Sequence, residues 1–174
     1  EKSYSLGEIY DKDGVKGVVA LLYDDGRHGV VMSLDEVCLA WSTIHRKKLK
    51  NMGATSKTDG LENMAAIEKY IAENGLSWSD FPAFEWCRNK GEGWYLPAIE
   101  ELKKFTLDDA VHDAVNRTLA AKGKELANKG DALHLYWSST EVNESRAWSV
   151  YMGGGNTYGY DKYGLLYVRA VSAF

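Results

Sequence analysis

Trp148-Ser149-Val150-Tyr151-Met152-Gly153 runs into Gly154-Gly155-Asn156-Thr157-Tyr158-Gly159-Tyr160-Asp161, and this stretch decides how the whole chain is read. Trp148, Val150 and Met152 alternate with Ser149, Tyr151 and Gly153, the two-residue period of a strand with one buried and one solvent face. Ser149, Tyr151 and Gly153 are therefore expected to point outward, and Trp148 and Met152 inward. The glycine run interrupts the pattern where a hairpin turn belongs. No Gly-Lys-Ser/Thr follows it and it lies between two strands, so the helix N-terminus that binds phosphate is missing.

Six of the eleven tyrosines, at 136, 151, 158, 160, 163 and 167, lie in this part of the chain, with Gly153, Gly154, Gly155, Gly159 and Gly164 among them. From Tyr136 to Phe174 the charges cancel, with Glu141, Glu144 and Asp161 against Arg146, Lys162 and Arg169. A neutral mixture of Tyr, Gly, Ser, Asn and Asp on strands and tight turns is the composition of antibody binding loops. There tyrosine supplies broad, stiff contact area and glycine and serine adapt around it. The alternative is an edge sheet whose tyrosines only cover the core, and composition leaves both readings open.

Upstream, residues 6 to 35 read as β, with Val15–Tyr23 and His28–Leu34 joined through Asp24-Asp25-Gly26. Asp11-Lys12-Asp13-Gly14 begins like a calcium loop but lacks the later acidic ligands, which makes it a turn. The polar stretch from Val37 to Gly60, with its basic run Arg46-Lys47-Lys48, reads as a solvated loop or helix face. Met64, Ile67 and Ile71 mark one face of a helix that Gly75 can end. A second short helix carries Phe84 to Arg88. Gly93-Trp94-Tyr95-Leu96 reads as a short buried strand. Pro97 then opens one or two helices over roughly 98 to 127, with Ile99, Leu102 and Phe105 as the buried stripe. Asn116-Arg117-Thr118 matches a glycosylation acceptor, but a helix interior is a poor place for one.

The 174 residues are 45% hydrophobic and 26% charged, a globular composition of a size suited to one domain, 1–174. The longest apolar run, Val18–Tyr23, falls far short of the roughly 18 residues a membrane helix requires. With 21 basic against 25 acidic residues the chain lacks the charge of a nucleic-acid binder. The four histidines, His28, His45, His112 and His134, stand too far apart for a metal motif, and Ser138-Ser139-Thr140 lacks a nucleophile elbow. No catalytic group, metal set or cofactor is called for. Cys38 and Cys87 lack zinc-site spacing and read as two separately buried thiols, with a single bridge between them as the alternative. The first residue, Glu1, suggests a removed leader and hence export.

Gly93-Trp94-Tyr95-Leu96-Pro97 with Glu101-Leu102, Tyr136-Trp137-Ser138-Ser139-Thr140-Glu141, Ala147-Trp148 and the ending Tyr167-Val168-Arg169-Ala170-Val171-Ser172-Ala173-Phe174 resemble a bacterial C-type lectin-like family. It is close to the formylglycine-generating-enzyme subclass and to the domain that ends the Legionella collagen-like protein. Gly17-Val18-Val19, Ser33-Leu34-Asp35-Glu36 and Thr58-Asp59-Gly60 to Asn63 fit the same family, so the resemblance spans most of the chain. It implies an α+β fold with an N-terminal β-hairpin, central helices and C-terminal antiparallel strands, in which the terminal strands meet and the C-terminal sheet displays a ligand face. No cysteine lies beyond Cys87, which speaks against formylglycine-type chemistry. The Glu-Pro-Asn and Gln-Pro-Asp motifs of calcium-dependent lectins are also missing.

The ending also resembles variable proteins diversified by retroelements, in which randomised adenines can encode Tyr, Ser, Gly, Asp, Asn, Leu, Arg or Val but never Trp, Met, Lys or Glu. Ser149, Tyr151, Gly153, Tyr158, Gly159, Tyr160, Asp161, Tyr163, Gly164, Leu165 and Leu166 belong to the permitted set, whereas Trp148, Met152 and Lys162 do not. The expectation is a non-catalytic, calcium-independent receptor or adhesin domain whose variable region, 136–167, binds a protein or glycan on a cell surface. Tyr151, Tyr158, Tyr160 and Tyr163 would anchor the ligand. Gly153, Gly154, Gly159 and Gly164 would admit its backbone, Ser149 and Asp161 would hydrogen-bond, and Leu165 and Leu166 would add apolar area. Trp94, Trp137 and Trp148 would belong to the core. Such a protein would sit outside the cell, on a bacterial surface or a phage virion. A fixed-ligand adhesin or a pilus or lipoprotein tip domain is the alternative, and a formylglycine-type enzyme a more distant one.

Overall fold

The computed structural model describes residues 2–174 and is α+β, with four helices and two five-stranded sheets over those residues. The first sheet has the order β1-β2-β3-β10-β5, from β1 (Ile9–Lys12), β2 (Val15–Tyr23), β3 (His28–Met32), β5 (Trp94–Tyr95) and β10 (Val171–Ala173). Asp13 and Gly14, at φ of 54° and 80°, turn β1 into β2, because a tight hairpin turn with the right-handed twist of its strands needs positive φ at both central positions. β10 lies antiparallel to both β3 and β5, so the two ends of the chain meet in one sheet as expected.

The second sheet has the order β4-β9-β6-β7-β8 and carries the C-terminal third. It comprises β4 (Val37–Ala40), β6 (Leu135–Glu141), β7 (Arg146–Tyr151), β8 (Asn156–Asp161) and β9 (Leu165–Val168). Of the four helices, α1 (Gly60–Asn74), α2 (Pro82–Arg88) and α3 (Ile99–Thr106) pack against it, and α4 (Asp109–Lys122) packs against α3 and against β2 of the first sheet. Local chemistry sets their ends. The Asp59 carboxylate accepts from the Leu61 and Glu62 N–H groups at the start of α1, and Gly75 ends it in the left-handed conformation at φ 63°.

Two hydrophobic cores lie on opposite faces of the second sheet. One gathers Trp41, Ile67, Phe81, Phe84, Trp137, Leu166 and Val168. The other gathers Leu102, Phe105, Val115, Leu119, Tyr136, Val150 and Met152. Neighbours in sequence such as Tyr136 and Trp137 therefore belong to different cores, and the inner strands are buried on both sides. This corrects the reading of one buried and one solvent face. Ser149, expected to face outward, is fully buried on β7, between Trp137 of β6 and Tyr158 of β8 in register. Its hydroxyl is tolerated there because it donates to the Tyr158 carbonyl at 2.7 Å. Trp148 is only half-buried, and Leu166, expected at the surface, is 5% exposed in the first core.

Two further expectations change. The polar stretch after Val37 conceals the edge strand β4 and the buried Trp41, whose indole N–H donates to the Ser138 carbonyl at 3.0 Å. Cys87 is buried in the first core, but Cys38 on β4 is exposed, and both are free thiols. Asn116 holds both main-chain polar groups of Leu126 and is unavailable as an acceptor.

Candidate functional site

The segment that carries the anticipated residues is held from beneath by a buried ion pair. Lys162, between β8 and β9, is fully buried and places its ammonium 2.7 Å from the Glu141 carboxylate. Glu141 also accepts from the Met52 and Ala54 N–H groups at 2.9–3.1 Å. The ammonium donates to the Glu144 carbonyl at 3.0 Å and lies 4.6 Å from the centre of the Trp41 ring. Burial pulls the lysine below its ordinary range, and Glu141 opposes that shift. The residue that the codon argument excluded from variation is thus a structural post.

Above this post the turn is fixed by its own polar groups. Asp161 takes the Arg46 guanidinium at 2.6 Å on one oxygen and the Tyr163 N–H at 3.1 Å on the other. The Gly164 N–H donates to the Asp161 carbonyl at 2.8 Å. Arg46, read as part of a solvated basic face, is exposed yet serves as this clamp. Gly164 is needed for packing, since a Cβ there would run into the Tyr160 ring, and a Cβ at Gly153 would run into the Tyr151 ring. Both glycines make room for the protein's own tyrosines, which replaces their expected role of admitting a ligand backbone.

The anticipated residues fall into three groups. Leu165, Tyr158 and Tyr163 are open to solvent at 69%, 52% and 40%, and Gly154 is exposed in the β7–β8 turn. Tyr151, Gly153, Gly159, Tyr160, Asp161 and Gly164 are half-buried. Ser149 and Leu166 are removed from the surface altogether. Tyr160 stands edge-on to Trp137 with ring centres 6.2 Å apart, and Tyr158 is tilted beside it, also at 6.2 Å.

Two shallow depressions adjoin these tyrosines. One, of about 300 Å³, is lined by Leu135, Tyr151, Tyr158 and Tyr160. The other, of about 240 Å³, is lined by Arg146, Tyr158, Gly159, Tyr160 and Asp161. Leu135 and Arg146 were not anticipated, nor was Val142, which is exposed and would lie 3.3 Å from a Cβ at Gly159. The charge of Arg146, the residue that opens β7, was the only signal of this kind the sequence carried. Asp161 is the one carboxylate of the face and is already tied to Arg46, so the chemistry on offer is aromatic and apolar contact with a few hydrogen bonds.

With two sheets, their covering helices and this face described, the chain can be set beside known proteins. The family model of the Lcl C-terminal domain matches residues 36–172. The chain belongs to the Lcl C-terminal domain family. The match begins at Glu36, just before β4, and ends in β10, so it includes the whole second sheet and the candidate face but not β1, β2 and β3, which add residues to both cores. The fold of this Lcl C-terminal domain is similar to the crystal structure of a fimbrial protein from Bacteroides ovatus. The TM-score is 0.62 at 19% sequence identity, over 84% of this chain and 36% of that one. At that identity the likeness speaks to the fold alone, and the domain spans about a third of the fimbrial protein's length. The comparison with curated proteins gave no match.

Proposed function

We propose that this Lcl C-terminal domain is a non-catalytic, calcium-independent ligand-binding module of a surface adhesin or receptor, and that the tyrosine face of β7, β8 and the β8–β9 turn is its binding surface. The observation that carries this reading is the exposure of Tyr158, Tyr163 and Leu165 on a segment whose neighbours Lys162 and Leu166 are locked into the interior. A rigid frame that presents large, partly exposed aromatic rings binds with little ordering cost, which is the physical basis of an aromatic paratope. The meeting of the chain's ends through β3 and β10 supports a C-type lectin-like placement. The setting that suits this function is the outside of a bacterium or a phage virion. No helix among the described residues is long and apolar enough to cross a membrane.

Diversification of the face belongs to the same proposal, now restricted by burial: Tyr151, Tyr158, Gly159, Tyr160, Tyr163 and Leu165 are candidates to vary, while Ser149 and Leu166 are held by packing. Deep sequencing of the DNA encoding residues 136–174 and its flank, across a population of the source organism, tests it. Substitutions confined to sites where a nearby near-identical repeat carries adenine support it, and a uniform sequence without a repeat removes it. Uniformity would leave a fixed-ligand adhesin, a reading that the fold shared with a fimbrial protein favours.

The binding surface is tested by Tyr158→Ala combined with Leu165→Ala, read against arrays of cell-surface proteins and glycans. Loss of every captured ligand, with melting unchanged, supports the face. Undiminished capture moves the site elsewhere.

A further inference from the structure

β8 is an open edge, and its polarity follows from two observations. Lys162 N–H donates to the Ser145 carbonyl of the β7 side, and Ser149 and Tyr158 are direct partners in the antiparallel ladder. Main-chain groups alternate along such a ladder, so Asn156, Tyr158 and Tyr160 turn theirs towards β7 and Thr157, Gly159 and Asp161 turn theirs outward. Of the outward carbonyls, that of Thr157 receives a long 3.4 Å contact from the Asn156 side chain and that of Asp161 receives the Gly164 N–H. Among the described residues the Gly159 N–H and C=O have no partner, and no strand follows β8 in the sheet.

Sheet edges are normally defended by lysine, proline, a bulge or shortness. The edges of the first sheet follow this rule, β1 with Asp11 and Lys12 exposed and β5 with only two residues. The opposite edge of the second sheet, β4, is four residues long. β8 has six residues, Asn156-Thr157-Tyr158-Gly159-Tyr160-Asp161, in unbroken register with β7. It contains no lysine or proline, and its single charge is neutralised by Arg46. The two depressions described above both border this strand, one apolar around Tyr151 and Tyr158, the other beside Gly159 and Arg146. Arg146 is exposed, and its guanidinium has no partner among the described residues.

We propose that the ligand of this domain is a polypeptide that adds to β8 as an extended strand. Its main chain pairs with Gly159 and the outward groups of Thr157 and Asp161, and its successive side chains, which project to opposite faces, enter the two depressions. Strand addition has this form in general: main-chain bonds supply affinity, and pockets for alternate side chains supply specificity. The pocket linings set the side chains, an aliphatic or aromatic residue against Tyr158 and Tyr160, and an acidic residue one position away against Arg146. This inference rests on the tyrosine face being the binding surface and adds the class of partner and its geometry.

The test is selection of a displayed library of linear nine-residue peptides on the 174-residue chain, followed by synthesis of the best binder with single N-methyl groups at each position in turn. The expected result is alternation: methylation at every second residue weakens binding more than tenfold, and at the intervening residues less than threefold. Hydrogen exchange at Gly159 should slow at least tenfold in the bound state. In the domain, Gly159→Pro removes the outward N–H and should abolish peptide binding. Thr157→Lys, which places a charge on the edge, should do the same if proline disturbs the fold. Peptides that bind through Tyr158 but tolerate methylation at every position would overturn strand addition and leave the binding face standing. Failure to enrich any peptide would overturn the polypeptide partner. Binders indifferent to Tyr158→Ala combined with Leu165→Ala would overturn the face itself.

Discussion

The Lys162 ammonium sits 2.7 Å from the Glu141 carboxylate, with both side chains out of contact with water, and this pair joins the β8–β9 turn to the end of β6. Its consequences reach beyond two charges, because Glu141 also holds the Met52 and Ala54 N–H groups. Removing one partner of a buried pair leaves the other uncompensated, at a cost of about 3–5 kcal/mol. Lys162→Met is therefore expected to lower stability by about that amount, and Glu141→Ala by more, since it also orphans two backbone donors. Urea unfolding monitored by tryptophan fluorescence measures both, and equal losses would show that the backbone bonds contribute nothing.

The tyrosines of the face should divide by what lies beneath them. Tyr158 is half open to solvent, so Tyr158→Ala should change stability by no more than about 0.5 kcal/mol. Tyr160 rests edge-on against the buried Trp137, and Tyr160→Ala should cost about 1–2 kcal/mol. If Tyr158 proves the costlier of the two in thermal melting, its exposure in the free domain is not as described.

Ser149 and Tyr158 are register partners with opposite tolerance. A large side chain at Ser149 must displace packed neighbours and leaves β7 overpacked between two cores. Ser149→Arg should therefore destabilise by about 3 kcal/mol or more, while Tyr158→Arg should be close to neutral. Chemical denaturation of the two variants checks this, and a stable Ser149→Arg would mean that β7 can shed one of its covers.

The thiols give a pH-dependent readout. Burial pushes the Cys87 thiol far above the ordinary range, so native protein should not react with iodoacetamide there until it unfolds. Cys38 is exposed, but partial burial and then the Glu36 carboxylate raise it as well. Because the thiolate is the reacting form and its fraction grows as pH rises towards the raised value, Cys38 labelling should be slow at neutral pH. It should accelerate steadily through the alkaline range. Mass spectrometry after timed labelling gives both rates, and a Cys87 adduct in folded protein would contradict its place in the core.

Much of the framework was legible because local chemistry writes it. Gly75 ends α1 and the Asp-Gly turns close the first two hairpins, each through dihedral angles set within a few residues. The edge strand β4 was not legible, since its four residues acquire strand identity only by pairing with β9, far along the chain. Tyr158, Tyr163 and Leu165, expected at the surface because large side chains beside glycines in a neutral segment are conspicuous, are exposed. Leu135, Val142 and Arg146 were not anticipated, because nothing in their neighbours in sequence distinguishes them from ordinary strand and turn residues.

What the sequence determined by itself is the helices, the first hairpins with their turns, and the neutral tyrosine and glycine character of the C-terminal third. Tertiary structure decided which of those residues meet solvent. A two-residue period marks the faces of a strand but carries no record of how many of those faces will be covered. Here helices and loops distant in sequence cover both, so Ser149 and Leu166 are drawn inside and Lys162 becomes a buried post. The open surface is left to the edge strand β8 and the turn that leads from it into β9.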